Sequence, residues 1–188
     1  MKRGDKKGFT IIEVSLVLAI AGLIFLMIFI ALPALRRTQR DSARRDDIMV
    51  FLRKVKDYQT NNRGALPIAS GGGVIKWSEV SSADTSSWGG FFRDYLGEDF
   101  VDPDGVHYNL AVASCRAQAD ADCSESEGNG FFSDLGSQPF GGNGDYSYSI
   151  IVVTQATCSG DKVVGTTNPR KIAALYRLEG AGAYCANT

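Results

Sequence analysis

Between Phe9 and Leu35 the chain runs for 27 residues with one ionisable side chain, Glu13. As a helix rising about 1.5 Å per residue this stretch reaches about 40 Å, more than the ~30 Å hydrocarbon core of a bilayer. Such a segment needs lipid or other apolar helices around it. A carboxylate inside it costs roughly 2.5–3.5 kcal/mol on insertion scales, and less near the interface. Glu13 therefore needs a reason to be there.

A cleaved secretory signal would have an apolar region of about 7–15 residues followed by a small-x-small site. This segment is longer and runs on through Pro33 and Leu35 without such a site. No cysteine follows the leader to support lipoprotein processing. The segment is expected to stay with the protein. The rest is polar, glycine-rich and aromatic, so the 188 residues hold one modest domain beyond the apolar stretch. A net charge of −1 gives no bulk electrostatic case for nucleic acid as partner.

All four cysteines, Cys115, Cys123, Cys158 and Cys185, lie after the apolar segment. An even number there points to two disulfides with three possible connectivities, of which nearest-neighbour pairing is preferred. A zinc site is the poorer reading, because His107 is the lone histidine and no C-x-x-C occurs. Charge barely orients the span: Lys2, Arg3, Lys6 and Lys7 against Asp5 give +3 before it, and residues 36–47 give +2 after it. Lysine and arginine set the positive-inside bias and acids add little. The cysteines break the tie and place the C-terminal part outside.

Gly8-Phe9-Thr10-Ile11-Ile12-Glu13, behind a short basic leader, resembles the processing site of type IV pilins and their pseudopilin relatives. The likeness is close over the first 30 or so residues and extends only to layout beyond them. It implies a leader of residues 1–8 cut by a prepilin peptidase between Gly8 and Phe9, with N-methylation of Phe9. A glycine at the cut, having no Cβ, lets a peptidase approach the backbone. The resemblance also gives Glu13 a partner, the new Phe9 amine of a neighbouring subunit. It implies a single-pass precursor in the cytoplasmic membrane that an assembly machinery polymerises into an extracellular homo-oligomeric filament. Adhesion, twitching motility and DNA uptake are the uses such filaments have. A major pilin is the expected role, with a minor pilin or a secretion or competence pseudopilin as the alternative. No stretch identifies a host or surface receptor.

Within the span, Ser15, Ala19 and Gly22 share one helix face and let helices approach closely. Gly22 costs about 1 kcal/mol of helix propensity and Pro33 more. Between them lies the stretch that either kinks or, as in related filaments, becomes extended on assembly.

Residues 36–62 then turn amphipathic. Ile48, Phe51, Leu52, Val55 and Tyr58 mark one buried face, and Asn61-Asn62-Arg63-Gly64 with Pro67 reads as its end. The arginines between 36 and 45, alternating with acids, read as a solvated or subunit-contacting face, with some attraction to lipid headgroups. Residues 63–188 form the head, beginning with a connector that includes Gly71-Gly72-Gly73 and a short helix from Trp88 to Leu96. Asp102-Pro103-Asp104-Gly105 is a turn rather than a calcium loop, since the ligand spacing misses. Strands are expected at Val106–Ala113, Tyr146–Thr154 and Lys171–Leu178, with an edge strand at Ala183–Cys185. Alternation from Tyr146 to Ile150 predicts a strand with one buried face. The expected class is α+β: one helix from about 9 to 62, ~80 Å long, packed on a small antiparallel sheet of three to four strands.

No catalytic, cofactor or metal constellation stands out, and an enzyme is not expected. His107 lacks a nucleophile partner, Gly71-Gly72-Gly73 lacks the Lys-Ser/Thr of a phosphate loop, and Gly141-Gly142-Asn143-Gly144 fits a hairpin loop.

Overall fold

The computed structural model describes residues 8–68, 73–80, 87–115, 123, 148–180 and 182–188. The leader charges, the 70–72 and 141–147 stretches and most of the loop between Cys115 and Tyr148 lie outside them. The chain divides into two units, Met1–Gln39 and Arg40–Thr188.

Helix α1 (Ile11–Asn61) passes through Pro33 without interruption. Its end is set by left-handed backbone: Arg63 at φ +57° and Gly64 at φ +84° let the Gly64 amide donate back to the Gln59 carbonyl at 2.6 Å, closing the last turn.

In the second unit the amphipathic stripe is buried as its spacing requires. Ile48, Phe51, Leu52, Val55 and Tyr58 pack on one face of a sheet, with Leu110, Val112, Ile150, Val152, Ile172, Ala174 and Tyr176 opposite them. A short helical segment, α2 (Trp88–Phe91) continuing as a π-helical turn over Phe92–Leu96, adds Trp88, Phe91 and Phe92 to this core. Ser87 caps it, its hydroxyl accepting from the amides of Gly89 and Gly90. The rings of Phe51, Trp88 and Phe91 meet edge-on or stacked at centroid separations of 5.5–6.3 Å, geometry that adds to area burial alone.

The main sheet has five strands in the order β1 (Gly73–Ile75), β2 (Asn109–Ser114), β3 (Ser149–Thr154), β6 (Ile172–Arg177), β7 (Ala183–Asn187). A separate hairpin is formed by β4 (Ala156–Ser159) and β5 (Lys162–Gly165). The α+β class holds, with two corrections to the sheet. Strands β1, β4 and β5 add to those expected, and β2 and β3 run parallel, with Leu110 opposite Ile150 and Val112 opposite Val152. The other three pairings in the sheet are antiparallel. A parallel pair needs a crossover of a dozen or more residues, and the cysteine-bearing segment between Ser114 and Ser149 supplies the length.

The one-faced strand expected from alternation is corrected too. In β3, Ile150 and Val152 face the helix, while Ile151 and Val153 face a second cluster with Ala111, Ala156, Val163, Ala173 and Leu175. Both faces are buried because the β4–β5 hairpin folds back behind the sheet. Gln155, at φ +56°, makes the reversal, and its amide donates to the Lys171 carbonyl at 2.9 Å. The two disulfides, Cys115–Cys123 and Cys158–Cys185, belong to this second cluster, and the latter ties β4 to β7. An apolar layer this thin gains from covalent staples.

Arg40 and Arg44 are the largest correction, whereas Arg36, Arg37 and Arg45 are exposed as expected. Arg44 is fully buried, not on a solvated face. Its guanidinium makes a fork with Asp102 (Nε–Oδ2 2.7 Å, Nη2–Oδ1 2.9 Å) and reaches Asp104 Oδ2 at 2.9 Å and Glu179 Oε1 at 2.6 Å. Arg40 adds a second fork to Glu179. Asp41 accepts from the Glu179 and Gly180 amides, both at 2.9 Å. Arg45 lies over the Tyr184 ring at 5.6 Å. Charge at this end of the stripe fastens the helix to the 102–104 turn and to the turn between β6 and β7. The 102–105 turn forms as expected, the Asp104 amide donating to Asp102 Oδ1 at 3.0 Å, and Asp102 spends both oxygens on Arg44.

Candidate functional site

The processing-site sequence lies at the start of α1. Gly8 and Phe9 are exposed, and Phe9 keeps 90% of its surface accessible. A Cβ added at Gly8 would meet nothing within 4 Å, and the same holds at Gly22. Neither glycine is needed by the packing of the folded chain itself.

Thr10 and Glu13 form a reciprocal cap at the helix start. The Thr10 amide donates to Glu13 Oε2 at 2.9 Å, the Thr10 hydroxyl donates to the same oxygen at 2.8 Å, and the Glu13 amide donates back to Thr10 Oγ1 at 3.3 Å. This Thr-x-x-Glu arrangement satisfies two of the helix's orphan donors, and the carboxylate sits at the favourable end of the helix dipole. Beside the intersubunit role expected of it, Glu13 has a local one, and the threonine three residues before it is the sequence signal that marks it. Oε2 is engaged within the chain, and among the described residues nothing occupies Oε1. Glu13 can thus cap its own helix and still accept a cation from outside.

From Phe9 to Leu35 the large apolar side chains are exposed. This helix is long and apolar enough to cross a membrane. A helix apolar on all sides belongs in lipid or among other helices. Two hydroxyls, one within this run and one just after it, are turned to the helix backbone: Ser15 Oγ donates to the Ile12 carbonyl at 3.0 Å and Thr38 Oγ1 to the Ala34 carbonyl at 3.1 Å. Such internal bonding lowers the cost of a hydroxyl away from water. Helical geometry places Ser15, Ala19 and Gly22 along one side, and the Gly22–Pro33 stretch is helical throughout.

Residues 3–29 match the family of the prokaryotic N-terminal methylation motif, the type IV pilin and prepilin leader signature. The motif supports a type IV pilin-like or pseudopilin precursor. The motif implies processing by a prepilin peptidase and assembly into a pilus or secretion structure, and it points to a structural subunit. Leader and apolar helix together fit a membrane-anchored precursor. No curated protein and no solved structure matches the chain.

His107 stacks on Trp77 at a centroid distance of 5.1 Å, its Nδ1 buried without a partner among the described residues. Burial pushes the Tyr108 phenol up, and so does its hydrogen bond to Asp47, at 2.7 Å. Burial raises the Asp47 carboxyl as well, against the lowering effect of that same bond.

Proposed function

We propose that this chain is a major pilin, cut between Gly8 and Phe9, methylated at Phe9 and polymerised from the membrane into a surface filament. Residues 9–35 are the membrane span before assembly and the filament core after it; residues 36–62 and 63–188 are the bearing helix and the exposed head. The observation that carries this reading is the exposed apolar helix whose lone carboxylate has one oxygen tied to Thr10 and the other open. After cleavage, the cationic Phe9 amine of an incoming subunit is the partner that open oxygen fits. Pairing neutralises both groups in a dry contact, where a misaligned subunit would strand a charge at about 3–5 kcal/mol.

Cleavage creates the amine, so uncut chains lack the group that docks. Gly22 and Pro33 are where the helix yields if assembly requires it. The test is mass spectrometry of purified surface filaments. A dominant species beginning at methylated Phe9, with both disulfides intact, supports the major-pilin reading. The same species at trace level assigns a minor pilin or secretion pseudopilin instead, and an uncut Gly8–Phe9 bond in filaments overturns the proposal.

A further inference from the structure

At the far end of α1 lies an open depression of about 480 Å³ lined by Lys56, Gln59, Thr60, Arg63, Gly64 and Arg170. Three of its six lining residues are cations and none is an acid. Lys56, Arg63 and Arg170 form no ion pair among the described residues, in contrast to Arg40 and Arg44 on the same protein, which are saturated with carboxylates.

The backbone of two of the three cations is set by the fold. Arg170 lies against the bare backbone of Gly64: a Cβ there would fall 2.9 Å from its Cζ and 3.0 Å from its Nε. Its own backbone is fixed at both ends, the carbonyl accepting from Gln59 Nε2 at 2.8 Å and the amide donating to Asn168 Oδ1 at 2.9 Å. Arg63 occupies a left-handed position, φ +57°, where a side chain costs roughly 1–2 kcal/mol and glycine costs nothing. The chain puts glycine one residue later, where Arg170 needs the room, and keeps arginine in the strained place.

A helix C-terminus attracts a nearby cation through its carbonyl dipole, for about 0.3–1 kcal/mol. That effect accounts for one cation. It does not account for a guanidinium lying against a glycine and a second arginine on left-handed backbone, both without an acid among the described residues. Guanidinium groups present a planar fork of donors suited to the oxygens of phosphate and sulfate. We propose that this depression is a binding site for a tetrahedral oxyanion, a phosphate or sulfate group, with Arg63 and Arg170 as its forked donors and Lys56 as a third charge. The depression is larger than the anion alone, leaving room for the organic group that carries it. This inference does not rest on how the chain assembles.

The test uses the full chain in non-ionic detergent, with backbone amide shifts followed by NMR as inorganic phosphate, inorganic sulfate or chloride is added at constant ionic strength. Saturable shifts at Arg63, Gly64 and Arg170 with phosphate or sulfate, and none with chloride, are expected. A response to phosphate alone assigns a phosphate-bearing ligand, to sulfate alone a sulfated one, and to both a general oxyanion site. Arg170→Gln and Arg63→Gln should each weaken binding about fivefold or more, the loss of one charge-assisted contact. Arg170→Lys, which keeps the charge but not the fork, should weaken it by less. Shifts of equal size with chloride, or wild-type affinity in both glutamine variants, would overturn the proposal.

Discussion

Replacing Arg44 by methionine tests whether the charge cluster under the head fastens the helix or merely decorates it. The side chains of Arg44 and Asp102 are both fully buried. With Arg44 gone, Asp104 and Glu179 still have Arg40, at 3.5 Å and 2.6 Å. Among the described residues, the Asp102 carboxylate keeps the Tyr176 hydroxyl at 2.9 Å and the Asp104 amide at 3.0 Å. The loss therefore falls on one buried carboxylate, the situation in which removing a partner costs about 3–5 kcal/mol. For a head of this size, each kcal/mol moves the melting temperature by about 2–4 °C. A fall of about 6–20 °C is expected, read by near-ultraviolet circular dichroism on the full chain in detergent with its disulfides intact. The double variant Arg44→Met/Asp102→Leu should recover much of it, because removing both charges leaves none stranded. A drop equivalent to less than about 1 kcal/mol in the single variant would place the cluster in solvent-like surroundings and refute this reasoning.

Three other predictions concern the acids. Glu13→Ala should leave leader cleavage intact and abolish filaments, as seen by immunoblot of the processed chain beside electron microscopy of the cell surface; normal piliation would remove the intersubunit pair. Burial pushes the Glu179 carboxyl up, but hydrogen bonds from Arg40 and Arg44 outweigh it and hold the group below its ordinary 4.5. Its contribution to stability is therefore complete above that value and lost as pH falls through the depressed one. The urea midpoint should drop in that acid range, and Glu179→Gln, less stable near neutral pH, should flatten the drop. Asp47 is shifted the opposite way, burial raising its carboxyl, so its charged form opposes folding at neutral pH. Asp47→Asn, which can still accept from Tyr108, is expected to be neutral or stabilising by up to about 1 kcal/mol, and a loss greater than that in urea unfolding would contradict it.

The sequence spoke most clearly where one physical requirement acts on consecutive residues. A 27-residue apolar run with one acid, and a stripe from Ile48 to Tyr58 at helical spacing, can each satisfy a single environment. It misled where two requirements met. Arg44 sits four residues before Ile48, on the continuation of the buried stripe, and Asp41 three before that. Extending the stripe backwards would have found both, but alternating charge looked like a solvated face. The parallel pairing of β2 with β3 was hidden because local alternation does not encode strand direction. The second buried face of β3 depends on a hairpin reversing at Gln155, a residue with no turn signature. At the helix start, the Thr10–Glu13 spacing is that of a cap, but the apolar run around it makes the cost of an acid in a membrane the more conspicuous signal.

The charge cluster around Arg44 also fixes an order of events. Beside Asp41, three residues before it, its partners stand 58, 60 and 135 residues further along, so during synthesis this segment is made long before most of the carboxylates that neutralise it. Until Glu179 and the strands flanking it have arrived, the guanidinium must stay hydrated, and the segment bearing it cannot settle into the interior. The last turn of the chain thus completes the seat of its first helix, and a product truncated before that turn keeps a hydrated cation where the finished fold is dry.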